Sequence, residues 1–263
     1  MKPPSPAAEA SAIACVEPDR ITVRGSDLCR DLIGRVGFTD YFLFLLNGQQ
    51  PSPALSRLVD ACLVAIAEHG LVPSVQAARM TYAAAPDALQ GAVAAGLLGC
   101  GPVILGASES AGELLAAVAQ DAARQGGDMD AAATAHLARL RAARQPLPGF
   151  GHPVHRQEDP RAARLLAVAR ELGAEGEHAR ALQALARNVA AAYGRQLPVN
   201  VSAAIPAVLL DAGFPLPALR GIPLLARTAS LIGHLMEERE RALGFKLAAR
   251  AEAGVAYDGP RAQ

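Results

Sequence analysis

Apolar residues recur every three or four positions along most of the chain, and helix-starting and helix-stopping residues punctuate them. Ser26 and Asp27 are placed to cap a helix reaching about Val36, and Thr39 to cap the next, which stops at Gly48. Ser52 before Pro53 opens a third helix, with Leu55, Leu58, Val59, Cys62, Leu63 and Ile66 at helical spacing. Gly70 closes it, so His69 falls in its last turn. Helices over about 73–85 and from Asp87 to about Leu98 follow. The second contains GAVAAGLLG, whose small residues let backbones approach closely, and reads as a central helix. Ser108 caps a helix to about Gln125, Asp128 or Asp130 one to Arg144, and Pro160 starts one to about Leu172. Further helices are expected over about 176–193, 199–211, 217–226 and 227–242. Residues 1–18 read as a disordered tail and residues 19–25 as a short extended piece.

Composition narrows the picture. The 263 residues suffice for one large unit or two small domains, and half of them are apolar. Aromatic residues are few and Trp is absent, so Ala, Leu, Val and Ile must pack the core. Lys plus Arg equals Asp plus Glu, 25 against 25, and no basic stripe marks a nucleic-acid footprint. Cys15, Cys29, Cys62 and Cys100 make no CxxC pair and have no His at zinc spacing, so they read as reduced thiols and no metal site is expected. No apolar run is long enough for a membrane span, and the N-terminus MKPPSPAAEASA lacks an apolar signal core. A cytoplasmic protein is expected.

The chemistry concentrates in QPLPGFGHPVHRQEDP, residues 145–160. A Pro/Gly-rich loop of that length inside a helical chain tends to be functional. His152 is either a donor to a substrate oxygen, an acid or base near neutral pH, or a surface polar residue. Arg156 lies four residues beyond it, and Arg161 nine residues beyond, in the first turn of the next helix. Arginine makes paired hydrogen bonds to carboxylate and phosphate, so one His and two Arg around this loop suggest an anion site.

These residues carry a resemblance. GFGHPVHRQEDPRA, Gly149 to Ala162, resembles the GFGHxVxxxxDPRA signature of citrate synthases. ITVRGSDLCRDLIGRVGFTDYFLFLLNGQQPS resembles the family's RGY…DL…SF…LLxGxLP segment, and EHGLVPSVQAAR its DHxxxxST-type junction. LLGCGPVILGASE matches GPLHGGANE in position, and LPVNVSAAIPAVLLDAGFP resembles PNVDxxSGxxxxxxGxP. The likeness spans about residues 21–257, in a chain whose size is closer to the short citryl-CoA lyase-like branch.

Carried over residue by residue, the resemblance gives His69 and His152 to the oxoacid, the latter polarising its keto carbonyl. It gives Arg161 and Arg227 to the carboxylates and Arg156 to a CoA phosphate. Two positions depart from the synthase pattern. Ile104 stands where the family has the histidine that donates to the enolate oxygen. Ser202 stands where it has the aspartate that takes the methyl proton. A hydrocarbon donates no hydrogen bond, and a serine is a very weak base at neutral pH. Citryl-CoA lyase modules also lack that histidine but usually keep the aspartate. His155, three residues after His152, is read either as a solvated loop residue or as the group that protonates an enolate.

The resemblance implies an all-α, citrate synthase-like fold in which a smaller helical domain interrupts a large one. The large domain is expected over 19–106 and 208–263, the small one over 107–207. It implies a homodimer handling an acyl-CoA and a small oxoacid, with CoA as part of the substrate and no tightly bound cofactor. The expected catalytic residues are His152, His69 and Ser202. The expected reaction is cleavage of citryl-CoA to acetyl-CoA and oxaloacetate, or the reverse, synthase-type condensation. The alternatives are chemistry on another hydroxyacyl-CoA, or a non-catalytic acyl-CoA or oxoacid binder.

Overall fold

The computed structural model describes residues 10–124, 126–151 and 156–260, at 102 and 103 for the backbone only. His152 and His155 therefore lie outside the described residues. The described chain is mainly helical. A small antiparallel sheet precedes the helices, ordered β1 (Ala14–Val16), β2 (Ile21–Val23) and β3 (Ser26–Asp27). This corrects the expectation of a disordered tail as far as residue 18. Cys15 pairs with Thr22, and the intervening turn is closed by Glu17 N–H donating to the Arg20 carbonyl at 2.8 Å. Backbone pairing overrides the Pro/Ala bias there.

Local chemistry explains where helices begin. The Asp27 carboxylate accepts from the backbone N–H groups of Cys29 and Arg30, but what it caps is a π-helical turn, Leu28–Leu32, shorter than expected. α1 (Phe38–Asn47) starts after Gly37 rather than Thr39, whose hydroxyl bonds Asp60 instead. α2 (Pro53–Ala67) follows the expectation at its start, where Ser52 Oγ accepts from Leu55 N–H at 3.2 Å. Its end does not. Glu68 is extended and its carboxylate takes the N–H groups of His69 and Gly70, so His69 lies beyond the last turn.

α3 (Pro73–Ala84) and α4 (Leu89–Leu98) come next. α4 does approach its neighbours closely, for a Cβ at Gly96 would sit 2.7 Å from a Leu231 methyl. Yet its other face, with Gly91, Ala94 and Leu98, is exposed, so it is not central. α5 (Gly101–Leu105) was not anticipated, and it leads into α6 (Ala107–Arg124), inside which Ser108 is buried rather than capping. α7 (Met129–Ala142) is capped by Asp128, α8 (Pro160–Glu171) by Asp159, and α10 (Val201–Asp211) by Asn200, with α9 (Glu177–Tyr193) between the last two. The two helices expected over 217–242 are one, α11 (Gly221–Glu240), after a 3-10 turn at Leu216–Ala218. No Gly or Pro stood between Ala226 and Arg227 to break it. α12 (Gly244–Ala253) closes the described chain.

Two cores share α10. Val201, Ala204, Ile205, Val208 and Leu209 pack with α2, α8 and α11. Ala203 and Ala207, on another side of the same helix, pack with α6, α7 and α9. α8 lies within the segment expected to form the smaller unit, yet Leu165 and Ala169 belong to the core built on α2. Smaller cores join α3 and α4 to α11, and the sheet to α1. No helix among the described residues is long and apolar enough to cross a membrane.

Candidate active site

Loop geometry comes first. The backbone of Gly149–Gly151 runs antiparallel to Pro198–Asn200. Gly151 N–H donates to the Pro198 carbonyl at 2.8 Å and Asn200 N–H to the Gly149 carbonyl at 2.9 Å, with Phe150 bridged to Val199. Gly149 has φ +79°, and a Cβ there would be driven into the Ala203 methyl and lie 2.9 Å from Ala203 Cα. Only glycine meets both demands. The Asn200 side chain then works in two directions. Its oxygen accepts from Ser202 N–H at 2.9 Å, and its amide donates to the Gly151 carbonyl at 2.7 Å. The loop that leads into His152 is thereby pinned to the first turn of α10.

Asp159 pins the other end of the loop. It is wholly buried and accepts from Arg161 N–H, Nε and Nη2 at 3.1, 3.0 and 2.9 Å, and from Val201 N–H at 3.0 Å. Burial alone would raise its pKa. The Arg161 side chain and the two backbone donors outweigh burial and hold the carboxyl below its ordinary range. One carboxylate thus caps α8, orients Arg161 and tethers α10.

These elements enclose a cavity of about 240 Å³ at the N-terminus of α10. Its polar lining includes His69, Ser108, Arg161, Asn200, Ser202 and Arg227, and its apolar lining Ile66, Ile104, Leu105, Val201 and Pro223. Residues from seven parts of the chain meet there: the end of α2 with the turn after it, α5, α6, the loop at Gly151, the start of α8, the start of α10, and α11. Arg227 is 8% exposed, and burial lowers its pKa, with Arg161 acting in the same direction. Burial also lowers the His69 pKa, followed by the charges of Arg161 and Arg227. Two guanidinium groups beside a neutral imidazole form a basin for a small polyanion.

His69, Arg161, Arg227 and Ser202 are thus brought together, with Ile104 beside them. Arg156 is exposed and is not part of this lining. Asp159, Asn200 and Glu68 had been given no role from sequence. Asp159 stood in the DPRA signature next to Arg161, a signal that was there to be used; Asn200 and Glu68 act through contacts that no local pattern announces. Among the described residues no group of three His, Cys, Asp or Glu could hold a metal ion.

The site is thus a cationic cavity in a helical protein, suited to a small polyanion. The family model "Citrate synthase, C-terminal domain" matches residues 23–247, and the chain belongs to the citrate synthase family. A citrate synthase 2 of Bacillus subtilis is 27% identical over 203 residues, covering 77% of this chain and 52% of that protein. A putative citrate synthase 2 of Mycobacterium tuberculosis is 32% identical over 196 residues, 72% of this chain and 49% of that protein. The chain therefore spans about half the length of these relatives. Among solved structures, the citryl-CoA lyase of Hydrogenobacter thermophilus superposes with TM-score 0.84 at 28% identity, covering 97% of this chain and 96% of its own. The ATP citrate lyase of Methanothrix soehngenii shares the fold, with TM-score 0.76 at 20% identity over 99% of this chain and 43% of its own.

Proposed function

We propose that this protein cleaves a citryl-CoA-like thioester to an acyl-CoA and an oxoacid. The carrying observation is the cavity itself. It combines two arginines and His69 with Ile104 and Ser202 at the positions where synthases keep a histidine and an aspartate. In this reading Arg161 and Arg227 bind carboxylates of the citryl group and His69 hydrogen-bonds one of its oxygens. A base removes the hydroxyl proton, the carbon–carbon bond breaks to a keto group, and its electron pair enters the thioester enolate. A proton then returns to that carbon to give acetyl-CoA. By family resemblance His152 is the residue that polarises the keto carbonyl, which makes it the candidate group at that hydroxyl, and Arg156 is the partner of a CoA phosphate. By microscopic reversibility cleavage passes through the same enolate as condensation, so the returning proton comes from water or from a group other than a carboxyl at position 202. The similarity in length and shape to a citryl-CoA lyase supports the cleavage direction. By resemblance the protein works as a homodimer; its sequence calls for no tightly bound cofactor and fits a cytoplasmic location.

Adding citryl-CoA to pure protein and following oxaloacetate tests the reading, with acetyl-CoA plus oxaloacetate and thiol release as the second arm. Oxaloacetate release well above the thiol-forming rate is expected. The loss of the family's aspartate at Ser202 also favours a second reading, a binder of acyl-CoA or oxoacid without turnover. Tight oxaloacetate binding with neither reaction would establish that one instead.

A further inference from the structure

A cluster of charged side chains reaches back from the cavity, where α11 meets α3 and the end of α2. Arg227, Ser230 and His234 are three and four residues apart and share one face of α11. All three grip the same short stretch. Arg227 Nη1 donates to the Ala67 carbonyl at 3.3 Å, one of the carbonyls left over at the end of α2. The Ser230 hydroxyl donates to Glu68 Oε2 at 2.8 Å, and His234 Nε2 lies 2.9 Å from the same oxygen. The other Glu68 oxygen accepts the N–H groups of His69 and Gly70 at 2.9 and 2.5 Å. The backbone that presents His69 to the cavity hangs on this carboxylate.

Behind His234 stands Arg79, wholly buried, with Nη2 3.2 Å from His234 Nδ1. A guanidinium has only donors, so Nδ1 must accept. The ring hydrogen is then on Nε2, where it is donated to Glu68. His234 is held as one neutral tautomer. Arg79 is itself fixed by Glu237 and by Glu238, the latter at 3.0 Å. The chain of contacts runs from a buried ion pair through an imidazole and a carboxylate to the His69 backbone.

We propose that Glu68 and His234 are positioning residues that set the His69 imidazole in the cavity, with Arg79 fixing the orientation of the His234 ring. The proposal deepens the oxoacid reading of that cavity and rests on it for its effect on binding. His69 is the group placed there, and its charged surroundings are Arg161, Arg227, Asp159 and Glu68.

Two substitutions separate positioning from packing. His234→Leu keeps bulk but neither accepts from Arg79 nor donates to Glu68. His234→Gln keeps both, with its oxygen toward Arg79 and its amide toward Glu68. The readouts are the His69 imidazole titration by NMR and oxaloacetate affinity by calorimetry. The Leu variant is expected to shift the His69 titration and to weaken oxaloacetate by about 10–100-fold, the scale of a misplaced contact. The Gln variant should stay close to wild type in both. A folded Leu variant with an unchanged His69 titration, or a Gln variant as impaired as Leu, overturns the proposal. If the Leu variant does not fold, Ser230→Ala decides, since it removes one Glu68 contact and leaves Arg79 untouched. It should move the His69 titration away from the wild-type value, and no movement overturns the proposal. If wild type itself fails to bind oxaloacetate, the oxoacid reading falls, and the His69 titration still decides the positioning role.

Discussion

At the scale of single residues, Asp159 carries the most. Four donors converge on it from α8 and α10, and it has no exposed surface. Asp159→Asn removes the buried carboxylate charge that faces Arg161, and breaking such a pair costs about 3–5 kcal/mol. The expected outcome is a marked fall in the urea midpoint. The pH dependence follows from the lowered pKa of Asp159. A carboxyl whose folded value lies below its unfolded value, ~3.9, gives stability that is complete above that value. That stability is lost as pH falls through the folded value. Wild type should therefore lose stability below about pH 4 more steeply than Asp159→Asn, and parallel acid curves would contradict the assignment. His69 behaves oppositely on binding. Its pKa is lowered by burial and then by Arg161 and Arg227, so it is neutral at pH 7. A dicarboxylate between those arginines offsets their repulsion and raises that value, so binding takes up protons. Oxaloacetate should bind more tightly as pH falls from about 7.5 toward 6. Calorimetry in buffers of different ionisation heat should give different apparent enthalpies near pH 6.5, and identical enthalpies would contradict the placement.

At the scale of elements, the loop and α10 act as one piece. Gly149→Ala meets both a disfavoured φ and the Ala203 backbone. It should destabilise by about 1–3 kcal/mol or more, read as a lower Tm. α5 and α10 also both line the cavity, through Ile104 and Ser202. Ser202→Asp alone restores a base but not the enolate donor, and one such donor is typically worth about 10²–10³ in rate. Ser202→Asp with Ile104→His should exceed either single change in deuterium exchange into the acetyl methyl of acetyl-CoA. Rapid exchange by wild type would show that another base already acts. Much of this layer was legible in the sequence, because caps are local: Ser52 with Pro53, Asp128, and the stop at Gly48 all stand where expected. What was not legible depends on distant partners. Thr39 was lost as a cap to Asp60, and α2 stops short because Glu68 is claimed by Ser230 and His234. The strand at Ala14–Val16 exists only through Ile21–Val23.

At the scale of the molecule, the family signature in the sequence points to Arg161 and to its loop. That the turn after α2 and the middle of α11 would meet them was legible only through the resemblance. Residues 69, 161 and 227 are too far apart in sequence for any periodicity to join them. Nor did pattern reveal that Leu165 and Ala169 would side with α2. The sharing of α10 has a thermodynamic consequence. Ile205 and Val208 serve one core, Ala203 and Ala207 the other, on eleven residues of continuous helix. Neither core can melt without stripping a wall from its neighbour. Heating should therefore give one calorimetric transition whose van't Hoff and calorimetric enthalpies agree. On the proposed function oxaloacetate binds where that wall begins, and it should then raise the whole transition together, by about 2.7 kcal/mol at a hundred times its Kd. Two separated melting steps would mean that the helix is a divider between independent bodies, and the ligand would then protect only one of them.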